Sequence, residues 1–197
     1  MNLCGGNLTV IRFIALGALS CFSALVLSPG PAQAESVVEE ARLGLLAQGW
    51  GGPGADKEQG VGFNGEVVFA SPDFLSAIGA PRPQIGFTIA SDSDATNQAY
   101  VGLEWQVYLR KRFFASASVG GSIHDGETDY TPFVDRPRLG DTVFLGCRVL
   151  FRLAGDIGYD VTDRISASIH LAHISNANLC DVNEGLDHLG VRIGYRF

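Results

Sequence analysis

Beyond residue 34 the sequence has no run of the roughly 20 uninterrupted apolar residues that a membrane-crossing helix needs, and this absence excludes a helical membrane protein. Charge is scarce too. Only 18% of residues are Asp, Glu, Lys or Arg against 46% hydrophobic, a balance too apolar for a disordered chain. Positive charge is scarcest of all, with 14 Lys and Arg against 21 Asp and Glu, so the net charge of −7 argues against nucleic acid as a partner. There are four cysteines, two of them, Cys4 and Cys21, near the start. What remains is an apolar chain whose apolarity is divided into short pieces.

The start reads as a secretory signal over residues 1–34. Arg12 supplies a basic residue, residues 13–27 an apolar segment, and Ala32-Gln33-Ala34 a small-residue cleavage site. Lipidation at Cys21 fits poorly, because the apolar run continues past it to Leu27. The remaining domain, 35–197, keeps Cys147 and Cys180 in a compartment where a disulfide can persist.

Eight candidate strands follow, at 37–47, 61–70, 84–91, 100–110, 113–124, 143–159, 165–175 and 187–197. Alternation decides what they build. Val101, Leu103, Trp105, Val107 and Leu109 share one face of the fourth strand, opposite Gly102, Glu104, Gln106 and Arg110. In the sixth, Val143, Leu145, Cys147, Val149, Phe151, Leu153, Ile157 and Tyr159 oppose Gly146, Arg148, Arg152 and Asp156, and in the last, Leu189, Val191, Ile193, Tyr195 and Phe197 oppose His188, Gly190, Arg192 and Arg196. A soluble core does not tolerate a face of arginine and glutamate, since each unpaired buried charge costs several kcal/mol. A small barrel with polar contents and a lipid-facing exterior does. The expected fold is therefore all-β, an eight-stranded antiparallel transmembrane β-barrel of the bacterial outer membrane. The alternative of a soluble lipocalin-type barrel, with the apolar face inside, shares the alternation but not the aromatic C-terminus at Phe197.

Connections at 110–113 and 160–164 are tight, whereas those at 48–60, 91–99, 124–141 and 176–186 are mostly longer and rich in Gly, Pro, Asp and Asn, as expected of periplasmic turns and external loops. The turn at 71–83 is the exception, long enough for a short helix. Glu66, Glu104, Asp156, Arg148, Arg152 and Arg192 read as barrel-filling ion pairs. His170 and His188 take the inward parity and His124 a loop, so no metal site and no cofactor is expected.

The chemistry concentrates near the end of the chain. On strand seven His173 and Ser175 continue the apolar, outward face of Ile165, Ala167, Ile169 and Leu171, and two positions along a strand brings such a pair into hydrogen-bonding reach. Asp187 opens the neighbouring strand on the outward parity of Leu189 and Val191, placed to orient an imidazole. All three fall at the outer end of the barrel, facing the outer leaflet, so an esterase here would meet lipid A of the lipopolysaccharide. If Tyr159 pairs with Ile165, Cys147 lies opposite Ala177, three residues before Cys180; either a disulfide pins the motif's loop or the two thiols are separate.

Here the sequence resembles the outer-membrane lipid A 3-O-deacylases, also called acyloxyacyl hydrolases. The likeness rests on His-x-Ser-Asn-Ala at 173–177, Asn-Glu-Gly-Leu-Asp at 183–187 and the terminal strand to Phe197. It implies a metal-free serine hydrolase that releases the 3-hydroxyacyl chain at the 3-position of lipid A, with Ser175 as nucleophile, His173 as general base, Asp187 as the acid and Asn176, beside a backbone amide, in the oxyanion hole. The family's best-known members carry glutamate where Asp187 stands and glycine where Asn178 stands. The partners expected are lipid A and membrane lipid, with a homodimer left open. The competing expectation is a non-catalytic barrel serving as adhesin, structural protein or narrow channel.

Overall fold

Side chains that alternate between apolar and polar can bury neither face in a flat sheet, and closing the sheet separates them. In a computed structural model of the chain, which describes residues 37–51, 57–132, 134–135 and 138–197, eight strands form a closed antiparallel barrel in which each pairs with its neighbour and β1 with β8. They are β1 (Val38–Gln48), β2 (Gly60–Phe69), β3 (Arg82–Ala90), β4 (Gln98–Tyr108), β5 (Phe113–His124), β6 (Val149–Asp160), β7 (Ile165–Ser175) and β8 (Leu186–Arg196). The signal segment expected at 1–34 lies outside the described residues.

The exterior is apolar. Leu43 and Leu45 on β1, Val101 and Val107 on β4, Phe151, Leu153 and Ile157 on β6, Ile169 and Leu171 on β7, and Val191 and Ile193 on β8 are all exposed. The interior is charged. Arg42 pairs with Glu40 at 2.9 Å, with Glu66 at 3.0 Å and with Glu104; Arg192 pairs with the same Glu66 at 3.0 Å and with Asp156. Arg82 adds a second cation to Glu104 and Glu40. Arg152 stacks 3.7 Å from the centre of the Tyr100 ring and donates to His170 Nε2, whose Nδ1 donates to Asp156 at 3.0 Å. A Cβ on Gly44 would lie 2.8 Å from Arg192 Cγ, so that inward glycine makes room for the arginine. The lumen is filled by side chains that neutralise one another.

The mouth at the β7–β8 loop end is closed differently. Val143 and Leu145, in the β5–β6 connection, pack on the inward-facing Leu150, Ile174 and Leu186. Strand six was expected from 143 but begins at Val149, because Gly146 at φ +76° turns the chain and the residues before it belong to this apolar plug. Glu58 accepts from the Thr96 and Val143 amides at 2.8 and 3.1 Å, and Glu184 accepts from Phe144 N at 2.9 Å and Lys57 at 2.6 Å, which ties the connections together. Two further expectations change with that boundary. Arg148 is exposed, donating to the Gly126 carbonyl at 2.7 Å instead of filling the lumen. His124 ends β5 facing inward, its Nε2 donating to the Cys147 carbonyl at 2.6 Å.

Candidate active site

Register brings the site together. Tyr159 pairs with Ala167, two residues beyond the partner expected, so Phe151 stands opposite Ser175 and Cys147 leaves the ladder altogether. Across the other edge of β7, His173 is the direct partner of Asp187. Both point outward, between the buried Ala172 and Ile174 on one strand and the buried Leu186 and His188 on the other. His173 Nδ1 lies 2.8 Å from Asp187 Oδ1. A carboxylate only accepts, so Nδ1 carries the proton and Nε2 is left as the basic nitrogen. The shorter aspartate needs no bridging group, because directly opposed residues of an antiparallel pair already stand close enough.

The imidazole is half-open, with 37% of the His173 side chain accessible against 14% for Asp187. Ser175 ends β7 on the same outward parity and is partly exposed. Among the described residues no hydrogen bond joins it to His173. Gly185, at φ +70°, borders the ring: a Cβ there would fall 2.9 Å from His173 Cε1 and 3.4 Å from Nε2. Only glycine combines that backbone with that space.

Asn176 faces the other way. It is buried, and its Nδ2 donates to the carbonyls of Leu145 at 2.8 Å and Val182 at 2.6 Å while its backbone N–H donates to Asn183 Oδ1 at 3.0 Å. Its donors are thus engaged in holding the β7–β8 loop. Ala177 and Asn178 follow at φ +53° and +62°, and among the described residues neither backbone N–H has a partner. Asparagine tolerates this left-handed conformation better than most residues, which suits Asn178 to a glycine's place. Asn183 and Gly185 carried no periodic signal in the sequence, and only the closed loop gives them a role.

Cys147 and Cys180 form a disulfide with their Cα atoms 6.0 Å apart, joining the β5–β6 connection to the loop that follows Ser175. Replacing both by serine is expected to leave a barrel of unchanged strand content while lowering turnover about 10–100-fold, since small misplacements of reacting groups are costly. Circular dichroism and steady-state rates on one preparation check this; unaltered turnover would show that Asn176 and Glu184 hold the loop unaided.

The lipid A 3-O-deacylase (PagL) family matches residues 60–196. The chain belongs to that family. A crystal structure of the outer membrane enzyme PagL is similar with a TM-score of 0.59 at 16% identity, covering 80% of this chain and 99% of that one. Designed transmembrane β-barrels follow with a TM-score of 0.50 at 9% identity, covering 84% of this chain and 100% of theirs. At such identities the structures speak for the fold. No curated protein matches the sequence. Membership carries the activity class, hydrolytic deacylation of lipid A, and family and fold together carry the outer-membrane location.

Proposed function

We propose that this protein is a serine esterase that removes the ester-linked 3-hydroxyacyl chain at the 3-position of lipid A from the outer leaflet. The observation that carries the reading is the His173–Asp187 pair at 2.8 Å, set on the lipid-facing side of the barrel two residues from Ser175.

In the reaction, Ser175 Oγ attacks the acyl carbonyl carbon as His173 Nε2 takes its proton, and Asp187 holds the imidazolium that forms. The oxyanion is met by the N–H groups of Ala177 and Asn178, which have no partner among the described residues. Asn176, assigned by resemblance to the oxyanion hole, contributes by fixing those amides. Collapse breaks the ester C–O bond, and His173 returns the proton to the departing sugar hydroxyl. Water, deprotonated by the same nitrogen, then releases the 3-hydroxy acid and restores Ser175.

Supplying the purified barrel with lipid A and with phospholipid in separate vesicles tests the substrate. Mass spectrometry should find lipid A lighter by one 3-hydroxyacyl chain and the phospholipid unchanged. Phospholipid cleavage alone would reassign the substrate, and no cleavage of either would return the chain to the non-catalytic reading.

A further inference from the structure

The three turns at the end of the barrel opposite the site are not alike. Residues 109–112 and 161–164 are short and polar, whereas 70–81 is longer and, from Phe74 to Ala80, carries no charge. Turns that meet water are ordinarily built from Gly, Asn, Asp and Ser. This one is Phe-Leu-Ser-Ala-Ile-Gly-Ala, wound into a 3-10 helix at Asp73–Ile78 with no buried residue. Phe74 is 78% exposed and Ile78 54%.

The segment is nonetheless firmly built. Gly79 at φ +89° closes it, with its N–H donating to Ser76 O at 3.1 Å and that of Ala80 to Leu75 O at 3.0 Å. It is also held against the wall of the barrel. Trp105, outward-facing on β4, donates from Nε1 to the Ile78 carbonyl at 2.9 Å. The turn therefore folds back over the lipid-facing surface instead of extending from the barrel end.

Its surroundings indicate what covers it. At the same end lie the aromatic pairs Phe113–Tyr159, with ring centres 4.8 Å apart, and Tyr195–Phe197 at 5.3 Å, forming the kind of belt that marks a membrane–water boundary. The next turn presents Arg110, Lys111 and Arg112, all exposed, where anionic headgroups would lie. We infer that Asp73–Ile78 is an interfacial anchor, with Phe74 and Ile78 inserted among the phospholipids of the periplasmic leaflet. The short turns identify that side as periplasmic. A second copy of the chain is a poorer occupant, since a six-residue helix offers far less than the roughly 800 Å² per partner of a stable interface. The inference does not depend on the chemistry at Ser175.

Nitroxide labels test it. Phe74→Cys, Ile78→Cys and, as a reference in a polar turn at the same end, Asp163→Cys are labelled one at a time; the described cysteines, Cys147 and Cys180, are joined to each other and do not compete. Each folded barrel is placed in phosphatidylethanolamine–phosphatidylglycerol vesicles, with folding confirmed by heat-modifiable migration. Labels at 74 and 78 should collide with dissolved oxygen several-fold more than with a charged nickel chelate, at a depth of roughly 5–10 Å. The label at 163 should show the reverse preference. Equal nickel access at all three positions would overturn the anchor, and so would dipolar broadening between labels at 74, which would place a second barrel there.

Discussion

Alanine at Ser175 or at His173 is expected to lower lipid A deacylation by on the order of 10⁶-fold, and the double variant should be no slower than either single one. A nucleophile and its base act as one unit: once either is gone, the other has no proton or no acceptor, and its removal costs nothing more. Asp187→Asn should cost less, about 10⁴-fold, because serine and imidazole survive and only the tautomer and the stabilised imidazolium are lost. Asp187→Glu retains the charge but lengthens an arm that already spans 2.8 Å, so its rate should fall between the aspartate and asparagine forms. Single-turnover measurements on purified barrels, scored by the mass of the lipid product, separate these cases. Losses that simply add, or a Ser175→Ala variant that keeps the conversion, would remove the mechanism.

The second large effect concerns the lumen. Arg42→Met should destabilise the barrel by about 3–5 kcal/mol, the range for removing one partner of a buried ion pair. Arg42 meets Glu40, Glu66 and Glu104, and each loses a counter-charge while walled off from water. Adding Glu66→Gln and Glu104→Gln should recover part of the loss, since the penalty belongs to the carboxylates left behind. Urea unfolding in vesicles measures both. A shift below about 1 kcal/mol for Arg42→Met would mean that Arg82 and Arg192 neutralise the cluster without it.

Much of this was legible in the sequence because a strand's period of two sends every other side chain to the same medium. Parity alone puts Glu104, Asp156, Arg152 and Arg192 inside, and His173, Ser175 and Asp187 outside. The start of β6 departs from the sequence pattern for the same reason: Val143 and Leu145 keep the alternation but are apolar to fill the mouth, and Gly146 ends the resemblance to a strand. Arg42 and Glu40 do not stand out in the sequence, because Leu43, Leu45 and the inward Leu46 blur the two faces of β1. The loop residues Asn176, Asn183 and Gly185 act through hydrogen bonds and backbone angles that no period encodes.

The outward parity of His173 and Ser175 also has a kinetic meaning. A substrate reaching these groups from the side arrives by lateral diffusion within a two-dimensional fluid, so its effective concentration is a mole fraction of the leaflet. Diluting lipid A with inert lipid at constant bulk amount should slow turnover, whereas diluting the whole suspension should not.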